Sequence, residues 1–296
     1  MDRNSEHLVV FSADLHGNET QYRKLVSFVV SEKAKTLIVG GDIAPYNMDT
    51  RQLIRGQRYF LSKKLPNLLF PLRKKLTDCR VYLIMGNDDC ACNLDVLERD
   101  DGTFHMIHAR RYELTEDFDI VGYSTVPITP FMLKDWEKFD LSEVPSDLTT
   151  EYAERKSWNY RLDGLKSTLK GFEPFRFNKD MENEDSIQRD LKESVFTKKP
   201  KKTVFVIHTP PDQTNLDKCY EGRHVGSMAV RLFIEKHQPY LTLHGHIHEA
   251  VTMSKDFKQI TGTSISLSAG NDNFGSNLAV LTFNLYEPEK AERKVI

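Results

Sequence analysis

The stretch His7-Leu8-Val9-Val10-Phe11-Ser12-Ala13-Asp14-Leu15-His16-Gly17-Asn18 decides how the rest of the chain is read. It is a short apolar run that ends in polar residues, the pattern of a buried strand that delivers side chains at its C-terminal end. Immediately downstream, Tyr22, Leu25, Val26 and Val29 repeat at helical spacing. The motif then recurs. Thr36-Leu37-Ile38-Val39 is a second buried-type strand ending at Gly40-Gly41-Asp42, and Val81-Tyr82-Leu83-Ile84-Met85 is a third ending at Gly86-Asn87-Asp88. Strands alternating with helices predict βαβ units and a largely parallel sheet.

Working outward, further strands are expected at 119–123, 203–207 and 240–243, with two closing strands at 263–267 and 278–286. A helix between Gly226 and His237 would turn Val230, Phe233 and Ile234 inward. The whole reads as a layered α/β sandwich with mixed sheets at its centre. Two segments interrupt the pattern. Residues 51–75 carry eight Lys/Arg and no Asp or Glu, and Pro66 and Pro71 are expected to break the stretch. Residues 140–200 form an expected insert or lid. It ends in a charged helical pattern with Ile187, Leu191 and Val195 at spacing four. Its middle holds Tyr152, Trp158, Tyr160, Phe172, Phe175 and Phe177, too aromatic for a disordered linker, so it is expected to fold back onto the body.

Composition bounds the function classes. The 296 residues suffice for one large domain, and a single domain over 1–296 is expected. A formal net charge of −2 excludes a globally charged surface and gives no overall pull toward nucleic acid or membrane. No run of about 18 apolar residues is present, and Met1–Glu6 lacks the apolar region of a secretion signal. Four cysteines (Cys79, Cys90, Cys92, Cys219) are too few for a disulfide framework and suit a reducing cytosol. A soluble, cytoplasmic protein is the expectation.

Chemistry comes from position. Potential ligands stand at the C-terminal ends of successive apolar runs: Asp14 and His16, Asp42, Asn87, His208, and then His246 and His248. Sites in open α/β sheets form at the carboxyl ends of strands, so these segments can converge. Four imidazoles, two carboxylates and one amide oxygen make an N/O set that suits Mn, Fe or Zn better than Ca or Mg. Seven ligands exceed one four-coordinate ion, whereas two ions about 3.5–4 Å apart that share a carboxylate use them all.

Taken in order, Asp14-Leu15-His16, Gly41-Asp42, Gly86-Asn87-Asp88, Val206-Ile207-His208 and Gly245-His246-Ile247-His248 resemble the motifs of the calcineurin-like metallophosphoesterase superfamily. The chain is most similar to its small Icc-related predicted phosphoesterases. The resemblance implies a four-layer αββα sandwich with two mixed central sheets. It also implies hydrolysis of phosphate esters, as a phosphodiesterase or phosphatase, by a hydroxide bridging two metal ions, with Mn favoured. By that scheme one ion would take Asp14, His16, Asp42 and His248, and the other Asp42, Asn87, His208 and His246. The alternative is a weakly active or inactive metal-binding scaffold of the same fold that mediates protein interactions.

Two departures from the family pattern stand out. Asp88 replaces a histidine that the family often carries after Gly-Asn, and beside two cations its pKa is expected to fall. Purple acid phosphatases place a tyrosine ligand three residues after the shared aspartate, where this chain has Pro45, and Tyr46 is not expected to be a ligand. Asn18 is open between touching substrate phosphate and capping the following helix, and His224 between reaching phosphate and packing. His244 reads as a structural strand residue, and His108 as support at most. The expected substrate is a phosphorylated small molecule or nucleotide. Nucleic acid remains open but is not favoured, because the basic stretch 51–75 reads first as a solvated amphipathic helix with Leu53, Ile54, Phe60 and Leu61 inward.

Overall fold

A computed structural model describes residues 7–46, 49–98, 102–157, 161–272 and 275–296. In its first half the strands are β1 Leu8–Ser12, β2 Thr36–Gly40, β3 Arg80–Ile84, β4 His105–Met106, β5 Arg111–Glu113, β6 Asp119–Tyr123, β7 Val126–Pro127 and β8 Glu137–Lys138. They continue with β9 Asp163–Thr168, β10 Gly171–Arg176, β11 Thr203–Ile207, β12 Leu241–His244, β13 Lys258–Thr261, β14 Ser264–Ser268, β15 Ala279–Asn284 and β16 Glu292–Val295. One six-stranded sheet runs β16-β15-β1-β2-β3-β4 and the other β13-β14-β12-β11-β6-β5. Both are mixed: β1, β2 and β3 are parallel with β15 antiparallel, and β6, β11, β12 and β14 are parallel between antiparallel edges β5 and β13.

The period-two alternation of each strand sorts its residues into layers. Val9, Phe11, Ile38, Tyr82 and Ile84 of the first sheet meet Val204, Val206, Leu241 and Leu243 of the second in a core between the sheets. Val10, Leu37, Val39, Val81 and Leu83 face the other way, onto helices α1 (Glu19–Glu32) and α3 (Leu65–Lys75). Phe205 and Ile207 turn outward onto Val230, Phe233 and Ile234 of the helix Met228–His237. This is a four-layer αββα sandwich, and its central strands are apolar on both faces because both faces are covered.

The basic stretch differs from its expected form. Helix α2 (Thr50–Tyr59) passes through a wider turn, Phe60–Lys64, directly into α3. The Leu65 amide bonds back to the Phe60 carbonyl, five residues earlier. Pro66 follows directly after the wider turn, in the first turn of α3, and Pro71 sits inside the helix; neither ends it. Burial of Leu65, Leu68, Leu69 and Leu72 against α1 holds the helix through Pro71. Phe60 and Leu61 are buried, while Leu53 and Ile54 are half-buried.

Between 140 and 200 the chain forms a helix (Thr149–Ser157), the β9–β10 hairpin and several short helices. Tyr152, Ile187, Leu191 and Phe196 pack on Val121, Tyr123, Phe205 and Ile207, so this segment covers the outer face of the second sheet. The helix expected through Ile187, Leu191 and Val195 is split into Ile187–Asp190 and Ser194–Thr197, because Glu193 is extended. Of the aromatic residues, Tyr152 and Phe177 are buried and Phe172 and Phe175 half-buried; Trp158 and Tyr160 lie outside the described residues. No helix among the described residues is long and apolar enough to cross a membrane.

Candidate metal centre

The loops that leave β1, β2 and β3 in one sheet and β11 and β12 in the other meet at one edge of the sandwich. Backbone bonds zip them in pairs. Asp14 and His16 amides donate to the Gly41 and Asp42 carbonyls at 3.0 and 2.8 Å, and the Gly245 amide donates to the His208 carbonyl at 3.0 Å. The two sheets are joined where the His246 amide donates to Asp14 Oδ1 at 3.0 Å. Turning this sharply forces unusual backbone. Asp14, His16, Asp42 and His246 all have positive φ, at 58°, 45°, 48° and 69°. Such strain clusters at functional sites, where the surroundings over-determine it.

Two glycines make the close approach possible. A side chain at Gly41, whose own φ is +104°, would strike the His208 ring, and one at Gly86 would strike Asp42 and His208 together.

Asp14, His16, Asp42 and His248 each offer a donor atom within 4.8 Å of all the others, a group that could hold a metal ion. His16 Nε2 faces His248 Nε2 at 3.2 Å and lies 4.0 Å from Asp42 Oδ2. Across Asp42, the remaining residues gather. His208 Nε2 lies 3.3 Å from Asp42 Oδ2 and 3.2 Å from Asn87 Oδ1, and His246 Nδ1 lies 2.7 Å from the same Asn87 oxygen. The structure thus brings together all seven residues singled out in the sequence, with Asp42 between the two groups.

The residues fit metal ions. Asp42 and His208 are almost completely buried, yet both aim polar atoms at the same space. His208 Nδ1 is committed to the Gly40 carbonyl at 2.7 Å, which orients the ring and leaves Nε2 for the centre. The buried His16 Nδ1 has no hydrogen-bond partner among the described residues. Burial opposes ionisation of Asp42, but the charge and hydrogen bond of His208, followed by His16, hold its carboxyl well below the usual range. Burial likewise opposes protonation of His208, and Asp42 and Asp14 outweigh it to lift the imidazole to about 9. His246 is pulled down to about 3 by burial and then by the charge of His208.

Asp88 reaches His16 Nδ1 at 3.8 Å, and its amide donates to Asp42 Oδ1 at 2.8 Å. The protein's own groups act on it in the opposite direction to the cations invoked from sequence: burial, then Asp42 and Asp89, raise it to about 8. Tyr46 sets its ring edge against His16, with centroids 4.4 Å apart, in a supporting position. Asn18 is a cap. Its Oδ1 accepts from the Thr20 and Gln21 amides and its Nδ2 donates to the Gly275 carbonyl. His224 is anchored through Nδ1 on buried Asp217 at 2.7 Å, and no hydrogen bond or ion pair joins it to the seven among the described residues. His244 is buried between the Ile207 and Thr209 carbonyls and the Thr242 hydroxyl, a strand residue as expected. His108 accepts from the Ser124 amide and packs on Trp136.

Three supporting residues escaped the sequence reading. Fully buried Asp89 accepts the Gly86, Ile43 and Ala44 amides at 2.9, 3.0 and 2.8 Å, clamping the loop of Asn87 to the loop of Asp42. The acidic residue two places after Asn87 was its only signal. Gln57, a buried polar residue in α2, bonds the Pro45 and Asp88 carbonyls and the Cys90 amide. Asn271 holds the Ala13 and Asp14 carbonyls; nothing in the sequence marks it.

Comparison with known proteins agrees with this architecture. The calcineurin-like phosphoesterase family model matches residues 7–250, and the chain belongs to that family. Among solved structures, a protein of Thermus thermophilus superposes with a TM-score of 0.56 at 14% identity, covering 98% of each chain. A dimetal phosphatase from Danio rerio superposes with a TM-score of 0.51 at 12% identity, covering 95% of this chain and 94% of its own. At such identities the likeness speaks to the fold. No curated protein sequence matches the chain.

Proposed function

We propose that the chain hydrolyses phosphate esters with two divalent transition-metal ions, Mn favoured over Fe and Zn. The observation that carries this reading is the gathering of six N and O donor residues around a seventh, the buried Asp42. Asp14, His16, Asp42 and His248 would hold one ion, and Asp42, Asn87, His208 and His246 the other. Bound there, the ions would act as Lewis acids on the phosphoryl oxygens and make water a nucleophile at neutral pH. The chain's own part is orientation: Gly40 fixes the His208 ring, Asp14 ties His246 to the opposite sheet, and Asp89 sets the spacing of the Asp42 and Asn87 loops.

Asp88 supplies a carboxylate where the family often has an imidazole. The protein's own groups lift Asp88 to about 8, but two cations bound beside it would draw the carboxyl back to its ionised form. That negative charge would repel a phosphomonoester dianion more than a diester monoanion, and an ionised carboxylate would be a poor proton donor to alkoxide leaving groups. Phosphodiesters and esters with acidic leaving groups are therefore the favoured substrates. Beside His246 opens a groove of about 470 Å³, bordered by Thr129, Arg155, Tyr220 and Arg223, large enough for a phosphorylated small molecule or nucleotide. The whole chain acts as one catalytic unit, with 140–200 as its insert, and its four free thiols suit the cytosol.

The test is metal analysis of the purified chain, with hydrolysis of an aryl phosphodiester, an aryl monoester and an alkyl monoester before and after chelation. Two ions per chain and turnover lost on chelation are expected, with kcat/KM highest for the diester. Bound metal without turnover on a broad panel would instead favour a scaffold, and equal rates on all three esters would remove the role given to Asp88.

A further inference from the structure

Next to the groove lies a second cavity of about 440 Å³, built from residues that the metal centre does not use. Its walls are aromatic. Phe139, Tyr152 and Phe177 line it, each at least nine-tenths buried, and Phe139 and Phe177 meet edge to face with centroids 5.6 Å apart. The two spaces adjoin. Ile128 lines both, and the helix Thr149–Ser157 gives Tyr152 to the cavity and Arg155, three residues on and on the same face, to the groove. The groove's lining also includes the ligand candidate His246. Polar groups stand at the cavity's edge. Asn178 spends its Oδ1 capping the helix Lys179–Glu184, but its Nδ2 makes no hydrogen bond among the described residues. Lys179 lines the cavity, is exposed, and has no hydrogen-bond or ion-pair partner among the described residues.

We propose that this cavity recognises the planar ring of the substrate ester, a nucleobase or an aryl group, while its phosphate lies at the metal centre. The proposal rests on the phosphoesterase reading above. Aromatic walls with a few convergent donors are the usual means of binding a heteroaromatic ring: the faces supply stacking, and Asn178 Nδ2 and Lys179 Nζ meet ring acceptors. The space is of small-ligand size and adjoins, across Ile128 and the helix Thr149–Ser157, a groove that reaches a metal-ligand candidate, which argues for a part of the substrate over a separate effector.

The experiment compares thymidine p-nitrophenyl phosphate with methyl p-nitrophenyl phosphate, which share a leaving group and differ in the second ester. Three forms are assayed: wild type, Leu162→Trp, which fills the cavity from its partly exposed rim, and Lys179→Ala. Leu162→Trp should lower kcat/KM for the thymidine ester by at least about tenfold, the worth of one stacked base. An unchanged methyl ester then assigns the cavity to a nucleobase, whereas an equal loss on both assigns it to the aryl ring. No loss on either overturns the proposal. A wild type inactive on both esters refutes the phosphoesterase reading instead, and calorimetry on the metal-free protein still decides the cavity. Adenosine or p-nitrophenol should bind and ribose should not, with binding weakened by either substitution; no preference for either ring over ribose refutes ring recognition.

Discussion

Gly86→Ala is the most direct test of how the centre is assembled. The added methyl carbon would lie 2.5 Å from both the Asp42 amide nitrogen and His208 Nε2, and closer still to Asp42 Oδ1. Ordinary contact begins at 3.4 Å, and none of these atoms belongs to a flexible side-chain end that could swing away, so the Asp42 and Asn87 loops must part. A separation of about 1 Å in groups that must converge costs about a hundredfold in kcat. Overpacking of this kind also costs about 1–3 kcal/mol of stability. In a chain of this size that lowers the melting temperature by about 2–4 °C per kcal/mol. The assay is bound-metal content after dialysis, kcat/KM on the best ester, and thermal melting of the metal-free protein. Gly275→Ala, where a methyl group meets nothing within 4 Å among the described residues, is the control. A Gly86→Ala protein with full metal content and kcat within about twofold of wild type would refute the crowding argument.

Three further outcomes are expected. Asp89→Asn keeps one acceptor oxygen for three amides and turns an NH2 toward one of them, so urea unfolding should show a loss of about 2–4 kcal/mol; an unchanged midpoint would remove the clamp. Lys134 and Glu137 form a fully buried pair at 2.7 Å under the Thr129 loop that borders the groove. Lys134→Met should cost about 3–5 kcal/mol, and adding Glu137→Gln should restore much of it, again read by urea unfolding. Burial, with Lys138 and Arg110 adding, lowers His108 to about 4 from 6.5, so the folded state withholds a proton that the unfolded chain takes up. The His108 contribution to the stability of the metal-free protein should be complete above pH 6.5 and decline as pH falls toward 4, and His108→Gln should flatten the profile in that window; an equally steep decline in the variant would acquit His108.

Why the sequence revealed some elements and not others follows from burial. Strands β1, β2, β3 and β11 are covered on both faces, so they stand out as unbroken apolar runs. Strand β16, Glu292–Val295, carries three charged residues on a sheet edge, and β13 reads Lys-Gln-Ile-Thr; neither has an apolar run to announce it. The β9–β10 hairpin is similar, with mostly half-buried or exposed residues. Pro71 was misjudged because local propensity was outweighed by the leucines around it. At the centre, the ligand candidates were legible because carboxylates and imidazoles at strand ends are chemically distinctive. Asp89 and Asn271 were not, since their work is to hold backbone groups of distant loops, and that pairing exists only in three dimensions.

The left-handed backbone at Asp14, His16, Asp42 and His246 also sets the terms of any engineering. Each such residue carries about 1–2 kcal/mol of conformational cost that glycine would not. Ranked by thermostability alone, a mutant library would be drawn toward glycine at these four positions. The most heat-resistant members would then be those that had given up the polar atoms the centre is built from. Selection on this fold has to score metal retention alongside melting temperature, because at these positions the two run in opposite directions.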